Sequence, residues 1–156
     1  MRKVLILGTA AMLAAGAAYA HGSSHGASST SGEPGDAKKA TRTVKLDASE
    51  YAFSEQTLSF KAGETVKFVV SNKGKLMHEL TIGDAAEQAA HAAEMSKMSD
   101  MKHDEGSHEM PANSIHVGPG ETRELVWKFS KPGKLLFACN YPGHSDLGMQ
   151  GRIAVE

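Results

Sequence analysis

The chain has 156 residues, 40% hydrophobic and 22% charged, with a formal net charge of −1. That length suits one domain, and the balanced charge excludes a basic nucleic-acid surface or a long acidic tail. A single cysteine, Cys139, excludes an intrachain disulfide, while eight His and eight Met supply a surplus of nitrogen and soft-sulfur donors.

Residues 1–20 read as a signal peptide. Arg2 and Lys3 give a positive start, Val4 to Ala18 an Ala-rich apolar stretch too short for a membrane span, and Ala18-Tyr19-Ala20 a small-x-small cleavage pattern. Cleavage leaves 15 Lys+Arg against 18 acids, about −3, and no membrane segment. Export places the protein in an oxidising compartment, where an unpaired thiol is anomalous unless something occupies it. Residues 21–40 are rich in Gly, Ser and Ala and read as a flexible linker; His21 and His25 could hold copper weakly with the new α-amine.

From Thr41 the pattern changes to short strands separated by turn signals. Segments 43–46, 57–60 and 65–70 alternate or run apolar, with Ala62-Gly63-Glu64 and Asn72-Lys73-Gly74 between or after them. His78 to Ile82 is a further strand ending at Gly83. Segments 114–117, 122–129, 135–139 and 151–156 follow, and Leu125, Trp127 and Phe129 share one face. Seven or eight short strands at this spacing predict an all-β, Greek-key β-sandwich over residues 41–156.

Residues 84–113 interrupt that rhythm. Segment 84–102 is rich in Ala, Glu and Met, lacks β-branched residues and opens with Asp84 as an N-cap, which predicts an inserted helix. On 100° per residue, His91, Met95, Met98 and Met101 fall within roughly 120° of one face. His103, His108 and Met110 follow in the loop. Thioethers suit Cu(I) and Ag(I), and imidazoles suit Cu(II), so this group is a candidate auxiliary metal site. The competing reading is a Met stripe packed against the sandwich. His116 reads as a surface strand residue.

The chemistry concentrates at Cys139, His144 and Met149, spaced Cys-x4-His-x4-Met in the loop between the last two strands. His78, at the start of an earlier strand, can supply a second imidazole. Two His, one Cys and a weak axial Met form the ligand set of a type 1 (blue) copper site. Each alone has an ordinary explanation: a buried small hydrophobe, a strand-end histidine, core filling. Their joint spacing, with Pro142-Gly143 before His144, does not.

On Met77-His78-Glu79, Gly118-Pro119-Gly120-Glu121-Thr122, Pro132-Gly133 and the Cys139/His144/Met149 loop, residues 41–156 resemble the cupredoxins, the family of plastocyanin, azurin and rusticyanin. The loop spacing is closer to rusticyanin, auracyanin and phytocyanin than to plastocyanin. The resemblance implies a periplasmic blue copper protein in which His144 is the exposed ligand. Pro142, Gly143 and Leu147 would then form an apolar patch where a redox partner protein docks near His144. One position departs from the pattern: Glu79 stands where many cupredoxins carry an Asn that braces the Cys loop.

The Met/His-rich insertion further resembles small periplasmic cupredoxins of bacterial copper tolerance, which implies binding and redox cycling of copper ions. The alternative is a dedicated one-electron carrier between respiratory partners, with 84–113 as a docking element. An enzyme is not expected: no His-x-His pair, no Ser/His/Asp order and no phosphate-binding Gly loop occurs.

Overall fold

Alternation of apolar and polar residues sets the faces of the strands, and two sheets close over the apolar side. The computed structural model describes residues 29–100 and 110–156, with side chains apart from those of 98–100. Segment 1–20, His21, His25, Met101, His103 and His108 lie outside the described residues, as does the Met98 side chain. The strands are β1 (Glu33–Pro34), β2 (Arg42–Ser49), β3 (Ala52–Phe53), β4 (Thr57–Phe60), β5 (Thr65–Asn72), β6 (His78–Gly83), β7 (Ser114–Val117), β8 (Thr122–Lys128), β9 (Gly133–Ala138) and β10 (Gln150–Val155). One helix, α1 (Ala85–Asp100), connects β6 to β7.

One sheet has the order β1-β8-β5-β2-β3 and the other β4-β10-β9-β6-β7. Both are mixed: β2 runs parallel to β5 and β4 parallel to β10, while the remaining neighbours are antiparallel. Between the sheets lie Trp127, Phe68, Phe129, Phe137, Leu80 and Ile153, each almost wholly buried. Phe60 stacks on Phe129 with centroids 4.6 Å apart and meets Phe68 edge-on. Burying each such side chain contributes about 1.5–3 kcal/mol, which is the main force holding the layers together. The sandwich expected from the strand spacing is the fold observed, with eight of its strands where the pattern placed them.

Two antiparallel registers decide where the site falls. Ala138, the last residue of β9, pairs with Thr81 of β6 on one side and Gln150, the first residue of β10, on the other. The start of β6, the end of β9 and the start of β10 therefore meet at one end of the sandwich. His78, Cys139 and Met149 arrive there together.

Helix α1 begins where Asp84 was expected to cap it. Asp84 Oδ1 accepts from the N–H groups of Ala86 and Glu87 at 2.9 Å, and Glu87 Oε2 accepts from Asp84 N–H at 2.8 Å, a reciprocal capping box. The helix lies on the outer face of β6 and β9. Every residue of β6 is consequently buried: His78, Leu80 and Ile82 face the sandwich interior, and Glu79 and Thr81 face the helix.

The expected flexible linker over 21–40 is corrected for its second half. Residues 29–34 strap the helix start to the first sheet. Ser29 Oγ and Thr30 N–H donate to Glu87 Oε1, Thr30 Oγ1 donates to Asp84 Oδ2, and Trp127 Nε1 donates to Ser31 O. Gly32 passes so close to β8 that a Cβ there would sit 2.2 Å from Lys128 O. The Gly/Ser composition marks a close backbone approach here, where only the smallest side chain fits.

Candidate metal centre

The loop 139–149 is tied by its own backbone. His144 N–H donates to Tyr141 O, Met149 N–H to His144 O and Cys139 N–H to Met149 O, at 2.9–3.1 Å. Gly148, at φ +107°, makes the left-handed turn that brings the chain back to Met149. Asn72, at the end of β5, donates to Leu76 O and Val117 O and so holds the turn that leads into His78. Glu50 accepts from the N–H groups of Lys75 and Leu76 on the other side of that turn.

These supports bring His78, Cys139 and His144 together, with one donor atom of each within 4.8 Å of the other two. Cys139 Sγ lies 3.3 Å from His144 Nδ1 and accepts a 3.4 Å hydrogen bond from Glu79 N–H. Met149 is fully buried and joined to both loop residues through its backbone. His78 and Cys139 are also fully buried, whereas His144 is only partly covered. Tyr51, in the left-handed region at φ 65°, sets its ring edge-on to His144 at 5.2 Å. That strained residue escaped the sequence reading because nothing in its neighbours announces it.

The donor set fits a soft metal ion. Both ring nitrogens of His78 are buried without a hydrogen-bond partner. An unsatisfied buried nitrogen costs about 1–3 kcal/mol, a cost that a bound metal ion would remove. Burial lowers the pKa of His78, aided by His144 and opposed by Glu50; it lowers that of His144 against Glu50 and Glu79. Both imidazoles thus keep a free lone pair near neutrality. Burial pushes the Cys139 thiol up to about 12, opposed by the N–H groups of Glu79 and Tyr141. A metal ion must displace that proton, so binding releases it. Copper, which accepts imidazole, thiolate and thioether together, is the ion this set suits.

Behind the donors lies a polar cluster. Glu79 Oε1 accepts from Asn140 N–H at 2.8 Å and Thr81 Oγ1 at 3.1 Å; Oε2 faces His91 Nε2 at 3.3 Å and His116 Nε2 at 3.2 Å. Burial would raise the Glu79 carboxyl, but the hydrogen bonds from His116 and His91, the charge of His91 and the Asn140 N–H hold it at about 2. The Glu79 hydrogen bond raises His91 against its own burial. Glu79 therefore does brace the Cys loop, in place of the Asn expected from the family pattern. His116 is corrected from a free surface residue to a partner of Glu79, half-covered and close to the Tyr141 hydroxyl.

Of the candidate auxiliary donors, His91 and Met95 are buried on the sheet side of α1 and Met110 is partly buried. Among the described residues, His78, Cys139 and His144 are the one group whose donor atoms converge. Gln88, Asn140 and Thr81 were missed by the sequence reading. Their signal was the double burial of β6, which requires polar partners for its outward residues.

Comparison with known proteins agrees with this site. Residues 40–156 match the family described as copper binding proteins, plastocyanin/azurin family. The chain is 40% identical over 142 residues to the copper-resistant cuproprotein CopI of Rubrivivax gelatinosus, covering 90% of this chain and 82% of the relative. It is 35% identical over 176 residues to the Pseudomonas aeruginosa protein of the same name, covering 98% and 94%. Auracyanin B superposes with a TM-score of 0.64 at 23% identity, over 83% of this chain and 99% of that one, a likeness of fold. Fold, convergent donors and family match agree: the chain belongs to the plastocyanin/azurin family of copper-binding proteins, the cupredoxins, and copper is its cofactor.

Proposed function

We propose that the protein is a periplasmic copper-resistance cupredoxin that binds copper at a type 1 site made by His78, Cys139, His144 and Met149. The observation that carries this reading is the convergence of His78, Cys139 and His144, with neither nitrogen of His78 hydrogen-bonded elsewhere. Bound copper would supply one-electron chemistry between Cu(I) and Cu(II) and an intense thiolate-to-metal absorption. The chain's part is to hold neutral imidazoles and a displaceable thiol proton in a dry pocket that the sandwich keeps in shape. The names of its relatives support copper resistance as the setting. The signal-peptide pattern at 1–20 supports export to the periplasm.

The insertion supports a second copper-binding region. With His91 committed to Glu79 and Met95 packed beneath the helix, that region would draw on Met98, Met101, His103, His108 and Met110. The one-electron carrier remains the second reading, favoured by exposed Leu147, Leu76, Met77 and Tyr51 at the site end, an apolar surface where a redox partner could dock near His144.

Copper loading of the processed protein tests these readings together. One strongly held copper with intense visible absorption is expected, and Cys139→Ser should remove both; retained colour would overturn the site. Additional copper, lost when Met98, Met101, His103 and His108 are changed together, supports the auxiliary region, and a stoichiometry of one discards it. A deletion strain that respires poorly yet tolerates copper would favour the carrier.

A further inference from the structure

We infer that helix α1 is a clamp on the copper loop, with Gln88 and His91 as positioning residues for Cys139. This rests on the type 1 reading of the site, and it extends that reading to the insertion. Asn140, the residue after Cys139, is held at two points. Its N–H donates to Glu79 Oε1 at 2.8 Å, and its Nδ2 donates to Gln88 Oε1 at 2.9 Å. Gln88 Nε2 donates in turn to Thr81 O at 2.8 Å and Leu136 O at 3.4 Å, bridging the two strands that deliver His78 and Cys139. One turn further on, His91 Nε2 donates to the Glu79 oxygen opposite the one that holds Asn140.

Gln88, His91, Glu79 and Asn140 are each more than nine-tenths buried. A helix that merely covered the sheet would present apolar residues in place of Gln88 and His91, as it does at Met95, and would avoid burying their polar groups. Polar groups in such a place act as a unit, because any one left unpaired costs the full burial penalty. The polar part of the stripe, Gln88 and His91, ends on the residue beside Cys139 and on the strand bearing His78. Displacing α1 therefore loosens the thiolate's support while leaving the four donors in the sequence untouched.

The test compares His91→Leu and Gln88→Met with the conservative His91→Gln and with Lys97→Ala on the exposed side of the helix. In the copper-free protein, amide exchange at Asn140 should accelerate in the first two and stay unchanged in Lys97→Ala. In the copper-loaded protein, both should lose about 10- to 100-fold in copper affinity, as is usual when an outer partner of a ligand is removed. Their thiolate absorption should shift in position or intensity ratio. His91→Gln keeps an N–H for Glu79 and should restore most of the wild-type behaviour.

Folded variants with wild-type affinity, spectrum and Asn140 exchange would overturn the clamp. If His91→Leu does not fold, Gln88→Met, which leaves Glu79 all four partners, is read by the same criteria. Wild-type protein with no thiolate absorption would instead overturn the type 1 reading, and the exchange of Asn140 in copper-free protein would still decide on the clamp.

Discussion

His78 and Glu79 are neighbours on one strand, yet they sit in opposite circumstances. Strand geometry sends His78 inward and Glu79 outward, and both are fully buried. Neither nitrogen of His78 has a partner, whereas the two oxygens of Glu79 have four. One side of β6 is left open to a ligand, and the other is satisfied by the protein itself. The difference shows how a rigid metal site is divided: unsatisfied donors on one face, and on the other a closed hydrogen-bond cluster that prevents the loop from relaxing around them.

The most severe way to break this contrast is Glu79→Leu. Removing the carboxylate strands two imidazoles and the Asn140 N–H, and breaking a buried pair in this manner costs about 3–5 kcal/mol. A fall of that size in the urea-unfolding free energy of the copper-free protein is expected. A loss of a few tenths would mean the cluster contributes little.

Acid should act on the same face. The Glu79 carboxyl is held at about 2 in the fold against an ordinary 4.5. Its contribution is therefore present above 4.5 and lost as pH falls through about 2, a difference of about 3 kcal/mol. The urea midpoint of copper-free protein should decline across that window, and Glu79→Gln should flatten the decline.

His78→Leu probes the opposite face and should have the opposite sign. Removing two unpaired buried nitrogens relieves a cost of about 1–3 kcal/mol, so the copper-free variant should be as stable as wild type or more so. Copper should raise its melting temperature less than that of wild type, since losing one donor weakens binding and the mass-action stabilisation falls with it. Destabilisation of the copper-free form would show that His78 has a structural role of its own.

The smallest effect concerns His91. The Glu79 hydrogen bond raises its pKa above 6.5, so its contribution is complete below 6.5 and is lost as pH rises through the higher folded value. Stability of the copper-free protein should drift down across that interval, and His91→Gln should remove the drift.

Much of the sandwich was legible because strand periodicity and turn residues are local signals. Leu125, Trp127 and Phe129 could be placed on one face from their spacing alone, and they share the core. The strap at 29–34 was not legible: its hydrogen bonds reach Glu87, Asp84 and Trp127, more than 50 residues away in sequence, and Gly/Ser composition looks the same in a linker. The candidate donors Cys139 and His144, which the fold brings beside His78, were legible from their place in one loop. The role of Gln88 was hidden, since a Gln in an Ala-rich helix normally faces solvent, and only the covered outer face of β6 turns it inward.

The sequence by itself determined the donor chemistry, because ligand type and loop spacing are covalent facts that no packing can alter. It also determined eight of the segments that become strands. Tertiary structure alone decided that His78 would meet the loop, through the registers of β6, β9 and β10 at Ala138. It decided too that one side of α1 would serve Glu79 and Asn140, because a buried carboxylate must find its partners wherever the fold brings them.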